Sequence, residues 1–174
     1  MTFKSFVDSN LFIYALLEGE ADLGKKEKAK TFLEKLKSKS QIIISVQVIN
    51  EFHWVLKRKY QIEETIIRQK VSNDILGLCD VIPLNLKTYK EAYKVRDRYD
   101  VSFWDSLLVA SALNNECEIL YSEDIQHNLK IEEKLLIRNP LTEATGGVLD
   151  STTKRVKEPD AAGVGRFGIA VDCW

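Results

Sequence analysis

Five short apolar runs, separated by longer stretches of helical periodicity, restrict the fold of this chain more than any other feature of its sequence. Residues 3–7 predict a buried strand, Asp8-Ser9-Asn10 breaks it, and residues 11–17 predict a helix. Over residues 25–39 the apolar positions Ala29, Phe32, Leu33 and Leu36 share one helical face, with lysines covering the remainder. Ile42-Ile43-Ile44 is a β-branched run suited to a second strand, and Ser45 is placed to cap a helix carrying Val48, Ile49, Phe52 and Val55. A helix over 63–77 stopped by Gly77, a strand over 79–82 ended by Pro83, and a helix over 87–99 follow. Ser102-Phe103-Trp104-Asp105 has the form of a capping box and opens a helix to about Asn114. Residues 119–121 and 135–137 predict a fourth and a fifth strand. Strands alternating with helices indicate an α/β fold, with a mainly parallel central sheet flanked by helices. In such sheets ligands bind beyond the carboxyl ends of the strands.

Composition excludes several classes. With 45% hydrophobic and 29% charged residues the chain has the balance of a globular protein, and its longest apolar runs are far too short to cross a membrane. The N-terminus, interrupted by Asp8 and Asn10, lacks the pattern of a secretory signal. Cys79, Cys117 and Cys173 have neither disulfide-framework nor zinc spacing, which favours a reducing, cytoplasmic location. A net charge of −1 means that any nucleic-acid contact must come from local patches.

Four acids stand out by context: Asp8 after the first strand, Glu51 in a partly apolar helix, Asp105 at a helix start and Asp124 after the fourth strand. Each also has a structural explanation. Asp8 can cap the next helix, Glu51 can be a solvated helix residue, and Asp105 can partner Ser102. Together they supply the hard oxygen ligands that Mg²⁺ or Mn²⁺ requires, and such an ion can polarise a phosphodiester and activate water.

In order and spacing, the blocks FVDSNLFIYA, ISVQVINEF, VSFWDSLLVASAL and ILYSEDIQHN resemble the PIN-domain family, and most closely its VapC-like toxin branch. The resemblance covers residues 3 to 140 or so. It implies an acidic pocket formed by Asp8, Glu51, Asp105 and Asp124, supported by Asn10 and Ser122, and metal-dependent endonucleolytic cleavage of RNA. It further implies a homodimer neutralised by a small antitoxin protein. Asp124 is preferred to its neighbour Glu123 as the ligand. Such domains often close on Asn-Pro and an aromatic residue, whereas Leu141 follows Pro140 here.

Candidates for phosphate contact are Lys25, Lys26, Lys57, Arg58 and Lys59, although lysines on an amphipathic helix are ordinarily a solvated face. Phe103 and Trp104 can stack a base, with core packing the alternative for at least one of them. His53 and His127 lack zinc spacing. Two rival functions stand beside the nuclease: a non-catalytic RNA- or protein-binding module, and an aspartyl-phosphate phosphatase. The latter lacks its D-x-D pattern, because Ser9 and Asn10 follow Asp8. Residues 141–174 hold five of the eight glycines and show no sustained periodicity. The nuclease domain is therefore expected to span 1–140, with 141–174 a tail that is disordered or appended to the natural sequence.

Overall fold

The computed structural model describes residues 3–17 and 23–142. Most of the expected tail, including Cys173, lies outside the described residues.

The first strand, β1 (Phe3–Val7), leads into α1 (Ser9–Leu16), and α2 (Leu23–Lys39) returns to β2 (Ser40–Ser45). Next come α3 (Val46–Arg58), α4 (Glu64–Lys70), β3 (Asp80–Ile82), α5 (Leu86–Arg98), α6 (Phe103–Asn114) and β4 (Ile119–Tyr121). A hairpin, β5 (Lys130–Ile131) and β6 (Leu135–Arg138), completes a six-stranded sheet of order β3-β2-β1-β4-β6-β5. Every pairing is parallel except β5 with β6. The strands read as continuous apolar runs because both sheet faces are covered: Ser5, Phe6 and Val7 are all buried, although neighbouring residues point to opposite faces.

The apolar stripe of α2 lies where its periodicity places it, with Ala29, Phe32, Leu33 and Leu36 all buried. Along α6 the run Leu107-Leu108-Val109-Ala110 is buried all round, packed on β2 and β4 on one side and on α5 on the other. Among the described residues no helix is long and apolar enough to cross a membrane.

Four local expectations need correction. Ser45 stands at the start of α3 in extended conformation but makes no side-chain cap bond, and its buried hydroxyl has no hydrogen-bond partner among the described residues. The helix expected over 63–77 is shorter: α4 gives way to a π-helical turn, Val71–Ile75. Gly77 is required there by space, since a Cβ would stand 2.8 Å from the Asn73 carbonyl oxygen. The strand expected fifth is the sixth, because the two residues of β5 precede it. Finally, Leu141 is 5% exposed within the main core, and its carbonyl accepts from Lys28 Nζ at 3.0 Å, so the packed structure runs past Pro140.

Candidate active site

The chain builds β1, β2 and β3 outward in one direction and then returns to the other side of β1 with β4. Strand order therefore reverses between β1 and β4, the place where open parallel sheets form a crevice at their carboxyl ends. Asp8 directly follows β1, and its N–H donates to the Tyr121 carbonyl at 3.0 Å, closing the end of β4. Ser122 and Asp124 come just after β4. Glu51 reaches the same region from α3, which starts immediately after β2.

Asp8 is the centre of this arrangement and is only 3% exposed. Its Oδ1 accepts from the Ser9 amide at 2.6 Å, which caps α1, and its Oδ2 accepts from Ser122 Oγ at 2.7 Å. Ser9 Oγ stands 2.9 Å from Glu51 Oε2 and 3.3 Å from Asp8 Oδ1, so a single hydroxyl is within reach of two carboxylates. Ser122 Oγ accepts from the Asp124 amide at 3.2 Å, and Asn10 Nδ2 donates to Asp124 Oδ2 at 2.5 Å. The second oxygen of Glu51 accepts from Gln47 Nε2 at 2.7 Å, and that same amide donates to the Trp104 carbonyl at 3.1 Å. Gln47 thereby joins α3 to the first turn of α6, where Ser102 Oγ donates to Asp105 Oδ2 at 2.7 Å and accepts from the Asp105 amide at 3.1 Å.

Electrostatics bind the four acids into one unit. Burial above all, and then the charges of Glu51 and Asp124, push the Asp8 carboxyl up to about 7, against hydrogen bonds from Ser122 and Ser9 that favour the ionised form. Burial and the charge of Asp124 likewise raise Asp105 above the ordinary aspartate value, opposed by Ser102. Thus Asp8, Glu51 and Asp124 are linked by shared serine contacts, whereas Asp105 meets Asp124 through charge alone. Structural and site roles coincide here: Asp8 caps α1, and Asp105 partners the Ser102 cap.

Ser9 and Gln47 belong to the site without standing out in the sequence. A signal for each is present all the same, since Ser9 lies between two candidate residues and Gln47 precedes Glu51 by one helical turn. Glu123 turns away, paired with Lys25 Nζ, which also lies 3.2 Å from the Tyr14 hydroxyl. Lys25, a candidate phosphate contact, is therefore engaged within the protein. His53 pairs with Glu64 at 3.2 Å, and His127 Nδ1 accepts from the Asn139 amide at 2.9 Å. Phe103 packs among Tyr89, Tyr93 and Trp104, while Trp104 itself is 49% exposed.

The donor set is all oxygen and suits a hard divalent cation. Among the described residues no group of three or more His, Cys, Asp or Glu side chains is placed to hold a metal ion together. The carboxylates suit an ion that keeps several of its own waters between itself and the protein, the ordinary habit of Mg²⁺.

Solved structures share the fold. The VapC20 toxin of Mycobacterium tuberculosis, described as cleaving the sarcin–ricin loop, aligns with a TM-score of 0.54 at 17% identity over 70% of this chain and 92% of its own. VapBC2 from Rickettsia felis, solved with a promoter DNA fragment, gives 0.56 at 17% identity over 79% and 98%. A toxin–antitoxin complex from Klebsiella pneumoniae gives 0.55 at 20% identity over 76% and 96%. No curated protein matches the chain in sequence. The profile of the PIN domain matches residues 5–130, which spans the strands and helices that carry Asp8, Glu51, Asp105 and Asp124, and this chain belongs to the PIN domain family.

Proposed function

We propose that this protein is a cytoplasmic, metal-dependent endoribonuclease and the toxin of a toxin–antitoxin pair. The observation that supports the reading is buried Asp8 linked through Ser9 to Glu51 and through Ser122 to Asp124 where strand order reverses, with Asp105 near enough to feel the charge of Asp124. Such a set of carboxylates is costly to hold without a cation and gains from one.

Asp8, Glu51, Asp105 and Asp124 would hold Mg²⁺ or Mn²⁺. When bound, such an ion would lower the pKa of water and offset charge on a phosphodiester, so no nucleophilic side chain is required. The protein's own part is to fix the carboxylates. Ser122 and Ser9 hold the two oxygens of Asp8, Gln47 and Ser9 hold those of Glu51, and Asn10 fixes one oxygen of Asp124. These contacts hold the acids in place before substrate arrives, which reduces the reorganisation needed during reaction. The fold shared with VapC toxins supports RNA as the substrate, a homodimer as the assembly and a small antitoxin as the neutralising partner.

The decisive experiment incubates the full-length protein with a panel of structured RNAs in Mg²⁺, in Mn²⁺ and in EDTA. Discrete cleavage is expected with either ion, and none in EDTA or with Asp105→Asn. RNA that is bound but left intact under all conditions would replace the nuclease by a binding module.

A further inference from the structure

Gln47, Glu51, Trp54 and Arg58 follow one another along α3 at intervals of four, three and four residues, the spacing that places them on one helical face. Exposure rises along this stripe. Gln47 is buried, Glu51 is half-buried in the acidic site, Trp54 is 56% exposed and Arg58 is exposed. Beside it Ile49, Asn50, His53, Trp54, Lys57 and Arg58 line an open surface groove of about 320 Å³. Neither Lys57 nor Arg58 forms an ion pair among the described residues, whereas Lys25 is held by Glu123. With a rise of about 1.5 Å per residue, Trp54 lies within one turn of Glu51 along the axis and Arg58 within about two.

We propose that this face of α3 is a binding subsite for single-stranded RNA, in which an unpaired base stacks on Trp54 and the neighbouring phosphates lie against Lys57 and Arg58. The proposal rests on the reading of the protein as a ribonuclease and names how the strand is held outside the acidic pocket. Carboxylates repel a polyanion, so a strand entering that pocket needs cations close by. The groove supplies two of them where the acidic stripe ends. An exposed indole offers a flat surface that any base can cover, and only unpaired bases are free to do so. A stacking surface beside two cations matches the flat bases and anionic backbone of a single strand. An apolar protein partner gains little from Lys57 and Arg58.

The test measures binding of a short, unstructured, fluorescein-labelled RNA by anisotropy, using full-length Asp105→Asn protein in Mg²⁺ so that the probe survives. Trp54→Ala should weaken binding about ten-fold, and Trp54→Phe should retain most of the affinity. The double variant Lys57→Ala/Arg58→Ala should flatten the plot of log affinity against log salt by roughly 0.7 for each phosphate that the two cations neutralise. These side chains are exposed, and circular dichroism verifies that each variant folds. If Trp54→Ala were to unfold, the salt slope of the double variant still decides. Unchanged affinity and unchanged salt slope, with the parent binding RNA, would overturn the subsite and leave the ribonuclease reading intact. So would retained RNA affinity with sedimentation shifted from dimer to monomer, which would make this face a contact between copies of the chain. If the wild type cleaves no RNA and the parent binds none, the ribonuclease reading fails first and the subsite fails with it.

Discussion

Asp8 condenses the chemistry of the site into one titration. Its carboxyl stands at about 7 in the metal-free fold against an ordinary 3.8, so between those values the folded chain holds a proton that the unfolded chain has released. The contribution of this group to stability then falls as pH rises from about 4 to 7. Added Mg²⁺ should restore it by binding the folded state preferentially. Thermal melts of wild type and Asp8→Asn at both ends of that window, with and without the ion, isolate this contribution; a metal-free wild type that gains stability relative to Asp8→Asn between pH 4 and 7 would contradict it. Asp105→Asn tests the same physics at a second carboxyl. It removes a charge that burial and Asp124 disfavour while keeping an oxygen for Ser102 to bond. Cleavage should be abolished, with metal-free thermal stability equal or higher. A mere capping aspartate would instead lose roughly 0.5–2 kcal/mol. The positions of Asp8, Asp105 and Asp124 are legible because strand ends and helix starts leave a mark in the pattern of apolar residues, whereas Glu51, inside a helix, stands out only beside the other three. Ser9 and Gln47 are not, because a serine after a capping aspartate and a glutamine on a helix are ordinary local choices. What distinguishes them is a partner 42 residues away for Ser9 and 57 for Gln47, which periodicity does not register.

At the level of elements, the parallel strands and the long helices can be read from sequence, since burial on both faces gives β-branched runs and burial on one face gives a 3.6-residue period. The β5–β6 hairpin is half legible. Two residues carry no period, and the turn between the strands, closed by the Lys134 amide to the Ile131 carbonyl at 3.0 Å, uses Glu132 and Glu133 at φ 50° and 55°. Positive φ at both central positions is the signature of a type I′ turn, ordinarily announced by Asn or Gly. Glu132 is compensated: its amide donates to the Tyr99 hydroxyl at 2.9 Å, and its carboxylate meets Arg98 at 2.7 Å. The carboxylate of Glu133 pairs with exposed Lys130. Glu133→Gly is accordingly expected to raise stability by about 1 kcal/mol, as the cost of a side chain in the left-handed region is removed. Urea titration checks this, and a lower midpoint would show that the Lys130 pair outweighs the strain.

For the molecule as a whole, Leu141 packs in the main core, and we propose that the folded unit ends close after it. Leu141→Ala should cost about 2–5 kcal/mol, the usual range for a buried leucine. Truncation after Thr142 should leave both unfolding cooperativity and cleavage unchanged, because residues beyond it lack the periodic apolar face of a core element. Loss of the cooperative transition on that truncation would extend the domain. The central place of β1 carries a consequence for synthesis. Ser122 reaches back 114 residues to Asp8, so one side of the acidic crevice is synthesised well before the other. At about 5–20 residues per second, roughly ten seconds separate them on the ribosome. Until β4 and Asp124 have left the exit tunnel, Asp8 lacks both the hydroxyl and the neighbouring acid that complete its crevice, and the site cannot assemble.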